Sequence, residues 1–393
     1  MTKACRRVVG PRAPLLLLAT LACALLALSP NSALAQRGAS GPPEHANVEP
    51  VNHLPNPYET VRDWGVLPDG RTWGSVSAVN VDIDGIHIWA ADRCGTNSCA
   101  LSDVDPIVKL DPNGNVVESF GAGLILWPHG MDVDSDGNVW IADARSANAR
   151  ELEANPAAAG RGHAVLKFSP TGELLMSLGT AGQPGSGPGQ LNQPNDVITA
   201  PDGSIFVSDG HNGQGMTTMA AMADGREAGS TGRILKYSAD GTFLKEWGQI
   251  GRLHGEFRTP HALAFDSQGR LFVADRGNHR IEIFDQEGNY LDSRYSFGRI
   301  SGLFITADDI LYAIDSESSM TSHANWMNGV RIGPVDGDHI TGFIPPFDAD
   351  TRPYQGAAGE GVAVDADGNV YAAEGPNSLR WAGGALTKYV KGM

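Results

Sequence analysis

Apolar and polar residues alternate in short bursts along this chain, and the bursts repeat. Over residues 260–285, PHALAFDSQGRLFVADRGNHRIEIFD alternates through ALAFD, turns at SQG, alternates again through RLFVAD, turns at RGN and runs out through RIEIFD. A period of two bounded by turn residues predicts three short antiparallel strands. The layout recurs with fixed internal spacing: an aromatic residue follows each repeat start by eleven positions and an acidic residue follows it by fourteen. The starts are Ala78, His129, Asn195, His261, Ser301 and Glu360; the aromatics are Trp89, Trp140, Phe206, Phe272, Tyr312 and Tyr371; the acids are Asp92, Asp143, Asp209, Asp275, Asp315 and Glu374. Six copies obeying both offsets predict an all-β fold, a six-bladed β-propeller.

The closure of the ring is also written in the pattern. Five copies carry a third and usually a fourth strand, but the last ends at ALTKYVKGM without one. YETVRDWG, residues 58–65, resembles the outer strand FLKEWG, which predicts that an N-terminal strand completes the last blade and removes an open edge. One propeller domain is expected over residues 58–393. Three insertions follow second strands, at residues 144–162, 211–232 and 316–328, and are too long for hairpin turns. They mark one face as built for binding.

Before the propeller the pattern changes. Basic residues Lys3, Arg6, Arg7 and Arg12, an apolar run over residues 15–28 and Ala33-Leu34-Ala35 predict a secretory signal peptide, residues 1–35. Residues 36–57, rich in Gly, Pro and Asn, read as a flexible leader. The mature protein is then exported, periplasmic or secreted, with no membrane span. Its remaining cysteines, Cys94 and Cys99, are expected to form a disulfide in an oxidising compartment. Loss of the signal takes the net charge from −16 to −20 with no basic run left, which argues against a nucleic-acid partner. A monomer acting on a small molecule or peptide is the expectation.

In a hairpin the start of one strand lies beside the end of the next, so the repeat starts and the residues after the acids should ring the channel mouth. His129 and His261, in blades two and four, and Glu360, in blade six, sit at alternate blades, a ligand set for zinc or another divalent ion. Asn195 falls in the same ring as a substrate contact, although such polar residues also satisfy backbone groups or hold water. Arg93 and Arg276 follow the acid in only two copies, where a guanidinium suits a substrate carboxylate. His211 lies one residue beyond the equivalent place and could act as a base, or be a loop histidine. The acids recur in every copy, which assigns them to the scaffold.

The repeats PHALAFDSQGRLFVADRGNHRIEIF and PNDVITAPDGSIFVSDG resemble NHL repeats. The order WPHGMDVDSDGNVWIAD, PNDV with FVSDG, then TPHALAFD with FVADRGNHRI resembles the catalytic domain of peptidyl-α-hydroxyglycine α-amidating lyase across nearly the whole propeller. That family has a channel zinc on three histidines, a structural calcium, and arginine and tyrosine residues at the site. It cleaves the N–C bond of a peptidyl-α-hydroxyglycine to a peptide amide and glyoxylate. The resemblance matches His129 and His261 to the first two zinc histidines, and Arg93 and Arg276 to the arginines. Glu360 stands where the third histidine would, His211 where the tyrosine would, and Gly361 where an acidic residue follows the third histidine. It implies a metal-dependent lyase in which His129, His261 and Glu360 hold zinc, with calcium as the alternative. Arg93 and Arg276 would orient a carboxylate, and His211 could take the hydroxyl proton. Two other classes stay open: a lactonase-like hydrolase holding calcium on Glu360 and Asn195, and a non-catalytic propeller binding a peptide, glycan or protein.

Overall fold

The computed structural model describes residues 48–62, 64–319, 321–346, 359–375 and 385–392. The expected signal peptide lies outside them. The described strands form six four-stranded antiparallel sheets, each wound outward from a strand at the centre. The innermost strands are Val76–Val81, Pro128–Val133, Pro194–Thr199, Pro260–Phe265, Ile300–Ile305 and Gly361–Val364. The chain is a six-bladed β-propeller.

The second strands make the core. Ile88–Asp92, Val139–Asp143, Ile205–Asp209 and Leu271–Asp275 are buried at every position, because each is covered on both faces by neighbouring blades. The aromatic residue of the repeat sits in this strand. Trp89, Trp140, Phe206 and Phe272 are sealed from solvent, and the indole nitrogens donate to the hairpin-turn acids: Trp89 to Asp82 at 2.7 Å, Trp140 to Asp134 at 3.0 Å.

The acid at the end of the second strand has the scaffold role its recurrence implies. Asp143 accepts the backbone N–H groups of Leu126, Trp127 and Gly162; Asp209 accepts that of Asn192, Asp275 that of Arg258, and Asp315 that of Arg299. Each carboxylate thus ties the segment entering the innermost strand to the end of the second, satisfying buried donors that no ladder reaches.

The ring closes as expected. Tyr58–Val61 pairs antiparallel with Leu386–Lys391, Tyr58 opposite Lys391 and Val61 opposite Lys388. Arg62 Nη1 then reaches both oxygens of the buried Glu374, at 2.6 and 2.7 Å. The described end of the leader is held in place. Asn52 Nδ2 donates to Asn325 O, Asn52 Oδ1 accepts from Met327 N, and Val51 O accepts from Arg331.

Two insertions carry helices. Helix α1, Ala149–Ala154, starts at a capping box in which Asn148 and Glu151 satisfy each other's backbone N–H. Helix α2, Met219–Glu227, is capped by Thr218 and follows a tight turn over His211–Gly215.

Candidate metal centre in the central channel

The innermost strands are irregular where they meet the channel. Pairing to the second strand shifts between Val76 and Ala78, Pro128 and Met131, Pro194 and Asp196, Pro260 and Leu263, and Ile300 and Gly302. A bulge breaks the period-two alternation and re-aims a side chain. His129, Asn195 and His261 fall within these shifts, so their side chains leave the blade faces. Gly130 permits the close approach: a Cβ there would run into Asp196 Oδ1 and the Asn195 carbonyl oxygen.

Each channel histidine is fixed by one nitrogen. His129 Nδ1 lies 2.8 Å from Asn195 O, and His261 Nδ1 lies 2.6 Å from Ser301 O. A carbonyl oxygen only accepts, so each Nδ1 carries the hydrogen and each Nε2 presents a lone pair. Both Nε2 atoms are buried without a partner. The two rings are 4.6 Å apart between centroids, and the His211 ring lies 4.9 Å from His129 and 5.7 Å from His261. The ligating atoms of His129, His211 and His261 all fall within 4.8 Å of one another.

These imidazoles are held neutral. Burial pushes His129 and His261 well below the ordinary histidine range, and neighbouring imidazoles and guanidiniums push the same way. Burial, then Arg276, takes His211 down to about 3. Neutral imidazole is the metal-binding form, and three nitrogen donors around one point suit zinc. The donor set present fits such an ion.

Two buried arginines approach the Glu360 carboxylate beside these rings. Arg93, 1% exposed, donates from Nε to Pro128 O at 3.1 Å and from Nη1 to Asn97 Oδ1 at 2.8 Å, with its guanidinium 3.6 Å from the Trp127 ring centre. Its Nη2 makes no hydrogen bond and lies 3.6 Å from Glu360 Oε2. Arg276, fully buried, binds Gln214 through Nη2, while Nε and Nη1 make no hydrogen bond. Its Nη1 is 3.6 Å from Glu317 and 3.9 Å from Glu360. Glu360 Oε2, also without a hydrogen bond, is 4.0 Å from His129 Nε2. Burial pushes the Glu360 carboxyl up, against the pull of Arg93 and Arg276.

The sequence-derived residues therefore meet. His129, His261, Glu360, Arg93 and Arg276 converge, and His211 joins the imidazoles as a third possible nitrogen ligand. Glu360 stands between the two guanidiniums and the His129 ring, 3.6 Å from Arg93, 3.9 Å from Arg276 and 4.0 Å from His129 Nε2. Asn195 sits behind His129, its Nδ2 donating to Pro260 O at 2.8 Å and its Oδ1 buried without a partner. The Cys94–Cys99 disulfide is present directly after Arg93. Trp127, Gln214, Glu317 and Asn97 also meet these groups, and none occupies a position that the repeat marks. Gln214 and Glu317 lie in two of the insertions, and Trp127 directly precedes the Pro-His pair of blade two.

Fold and repeat define an NHL-type six-bladed propeller: the NHL repeat family model matches residues 257–284. Within that class the chain resembles the amidating enzymes. Peptidyl-glycine alpha-amidating monooxygenase B of Xenopus laevis is 30% identical over 287 residues, 70% of this chain and 28% of that protein. Peptidyl-alpha-hydroxyglycine alpha-amidating lyase 1 of Drosophila melanogaster is 28% identical over 295 residues, 68% of this chain and 46% of that protein. The chain thus spans less than half the length of these relatives. A gluconolactonase from Xanthomonas campestris superposes with TM-score 0.51 at 17% identity, covering 91% of this chain and 99% of that one, a likeness of fold alone. No described helix is long and apolar enough to cross a membrane.

Proposed function

We propose that this protein is an exported, metal-dependent carbon–nitrogen lyase that splits an N-acyl-α-hydroxyglycine into an amide and glyoxylate. One observation carries the reading: five buried polar atoms without hydrogen-bond partners, His129 Nε2, His261 Nε2, Arg93 Nη2, Arg276 Nη1 and Glu360 Oε2, cluster around the Glu360 carboxylate and the paired imidazoles. Buried polar groups left unpaired are costly, so their clustering points to a ligand that pairs them.

His129, His261 and His211 would hold a metal ion, which would supply Lewis-acid polarisation of the substrate hydroxyl. Arg93 Nη2 and Arg276 Nη1 grip the substrate carboxylate with charge-assisted hydrogen bonds, strengthened by the dry surroundings. The hydroxyl loses its proton, its C–O bond becomes a carbonyl, the C–N bond breaks, and the departing nitrogen takes up a proton. With His211 among the ligands, Glu360 takes the role of carrying that proton from one atom to the other. Gln214 and Glu317 hold Arg276 in its place. The N-terminal pattern and the disulfide support export, which sequencing the N-terminus of the mature protein tests.

Glyoxylate release from N-benzoyl-α-hydroxyglycine is the direct assay; zinc-loaded protein that releases none refutes the lyase. A second reading, a calcium-dependent hydrolase, draws on the partnerless oxygens of Asn195 and Glu360. Elemental analysis separates them: bound calcium and no zinc favours the hydrolase.

A further inference from the structure

Trp127 packs beside the imidazoles of His129 and His211, and a small apolar core outside the blades holds it there. Ala100, Leu126, Ala147 and Ala158 form a buried cluster against which Trp127 and Leu152 pack. Its members come from the segment after the disulfide, the approach to the second innermost strand, and the insertion at residues 144–162. Arg145 fixes that insertion through Glu151, at 2.8 Å by each nitrogen. Asn155 Nδ2 ties it to Ala100 O at 2.8 Å.

The indole is only half-buried. One face carries the Arg93 guanidinium, its ring lies 5.3 Å from His129, and His211 meets it edge-on at 5.4 Å. A rigid aromatic surface held beside convergent polar groups is how small-molecule sites fix an apolar substituent.

We propose that Trp127 forms an acyl subsite, the wall that receives a flat or branched apolar group on the acyl side of the bond to be cleaved. This rests on the lyase reading and gives it a substrate class: N-aroyl or long N-acyl α-hydroxyglycines rather than N-acetyl ones. The two ends of the substrate are read by neighbours, the carboxylate by the Arg93 guanidinium and the acyl group by the indole packed against it.

The test uses N-acetylglycine and N-benzoylglycine, unreactive analogues that lack the hydroxyl, titrated calorimetrically into zinc-loaded wild type, Trp127→Ala and Trp127→Phe. Wild type is expected to bind the benzoyl compound about tenfold tighter, the scale of one aromatic contact. Trp127→Ala should abolish that preference and Trp127→Phe should keep most of it. Weakening of both ligands by the same factor in Trp127→Ala means the indole only orients Arg93 and overturns the subsite. Equal or undetectable binding of the two by wild type overturns it as well. Selective binding without glyoxylate release supports the subsite and refutes the lyase instead.

Discussion

Two fully buried arginines four residues apart should answer the same substitution in opposite ways. Arg280 donates from Nε to Asp275 at 2.9 Å and from Nη2 to Leu253 O and Glu256 O at 2.8 Å each, and its Nη1 lies 3.2 Å from Glu282. Burial alone would lower its pKa, but Asp275 and Glu282 raise it. Arg276 has no ion pair closer than 3.6 Å, two nitrogens without hydrogen bonds, and a pKa lowered by burial. Its carboxylate neighbours each have another cation: Arg299 is 2.9 Å from Glu317, and Arg93 is 3.6 Å from Glu360. Arg280→Met therefore strands buried carboxylates and should cost about 3–5 kcal/mol. Arg276→Met removes a desolvated charge whose partners stay neutralised, and should change stability by no more than about 1 kcal/mol. Its effect belongs in activity. Losing a hydrogen bond to a charged group, about 1.5–3 kcal/mol, lowers kcat/KM by roughly 10- to 150-fold. Equilibrium unfolding in urea and glyoxylate release measure the two quantities. A loss of about 3 kcal/mol or more in Arg276→Met would place it in the structural network, and the inference from its partnerless atoms to a ligand would fail.

If the imidazoles are the donors, His129→Ala and His261→Ala should lose zinc while keeping their circular dichroism, and Glu360→Gln should retain it; zinc lost from Glu360→Gln but not from His211→Ala would restore the two-histidine, one-carboxylate set. Glu151 is held down to about 2, first by its hydrogen bond to Arg145. A depressed acid contributes stability above its unfolded pKa, roughly 4.3, that is lost as pH falls towards its folded value. The insertion at residues 144–162 should accordingly loosen between about pH 4.5 and 2, seen as a change in Trp127 fluorescence that Arg145→Met abolishes. Arg62→Ala removes the guanidinium that meets both oxygens of the sealed Glu374 and should destabilise the closure, with faster hydrogen exchange over Tyr58–Val61; unchanged exchange would mean that strand pairing alone closes the ring.

The sequence announces the scaffold and conceals part of the site for one physical reason. Alternation, turn glycines, the buried aromatic and the terminal acid are local rules that every blade repeats, so six copies reinforce each other and even the missing outer strand becomes visible. The site lies where those rules are broken. Bulges at the starts of the innermost strands turn His129 and His261 towards the axis, which alternation would instead direct into the blades. His211 lies on the turn over His211–Gly215, within 4.9 Å of the His129 ring and 5.7 Å of the His261 ring; its spacing after the acid puts it near the ring of channel residues, but not as a partner of the two imidazoles. The residues before the prolines of blades three and four show the same conflict: Gln193 at φ 64° and the β-branched Thr259 at φ 107° adopt backbone that favours glycine. Both immediately precede a Pro that leads into a channel residue, Asn195 or His261. Thr259 O also accepts the Arg276 N–H at 3.0 Å, so one strained residue sets the entry of His261 and anchors the backbone of Arg276 together. Strain of this kind persists only where surrounding structure enforces it. Its position between the ligand strand and the arginine supports reading both as parts of one site.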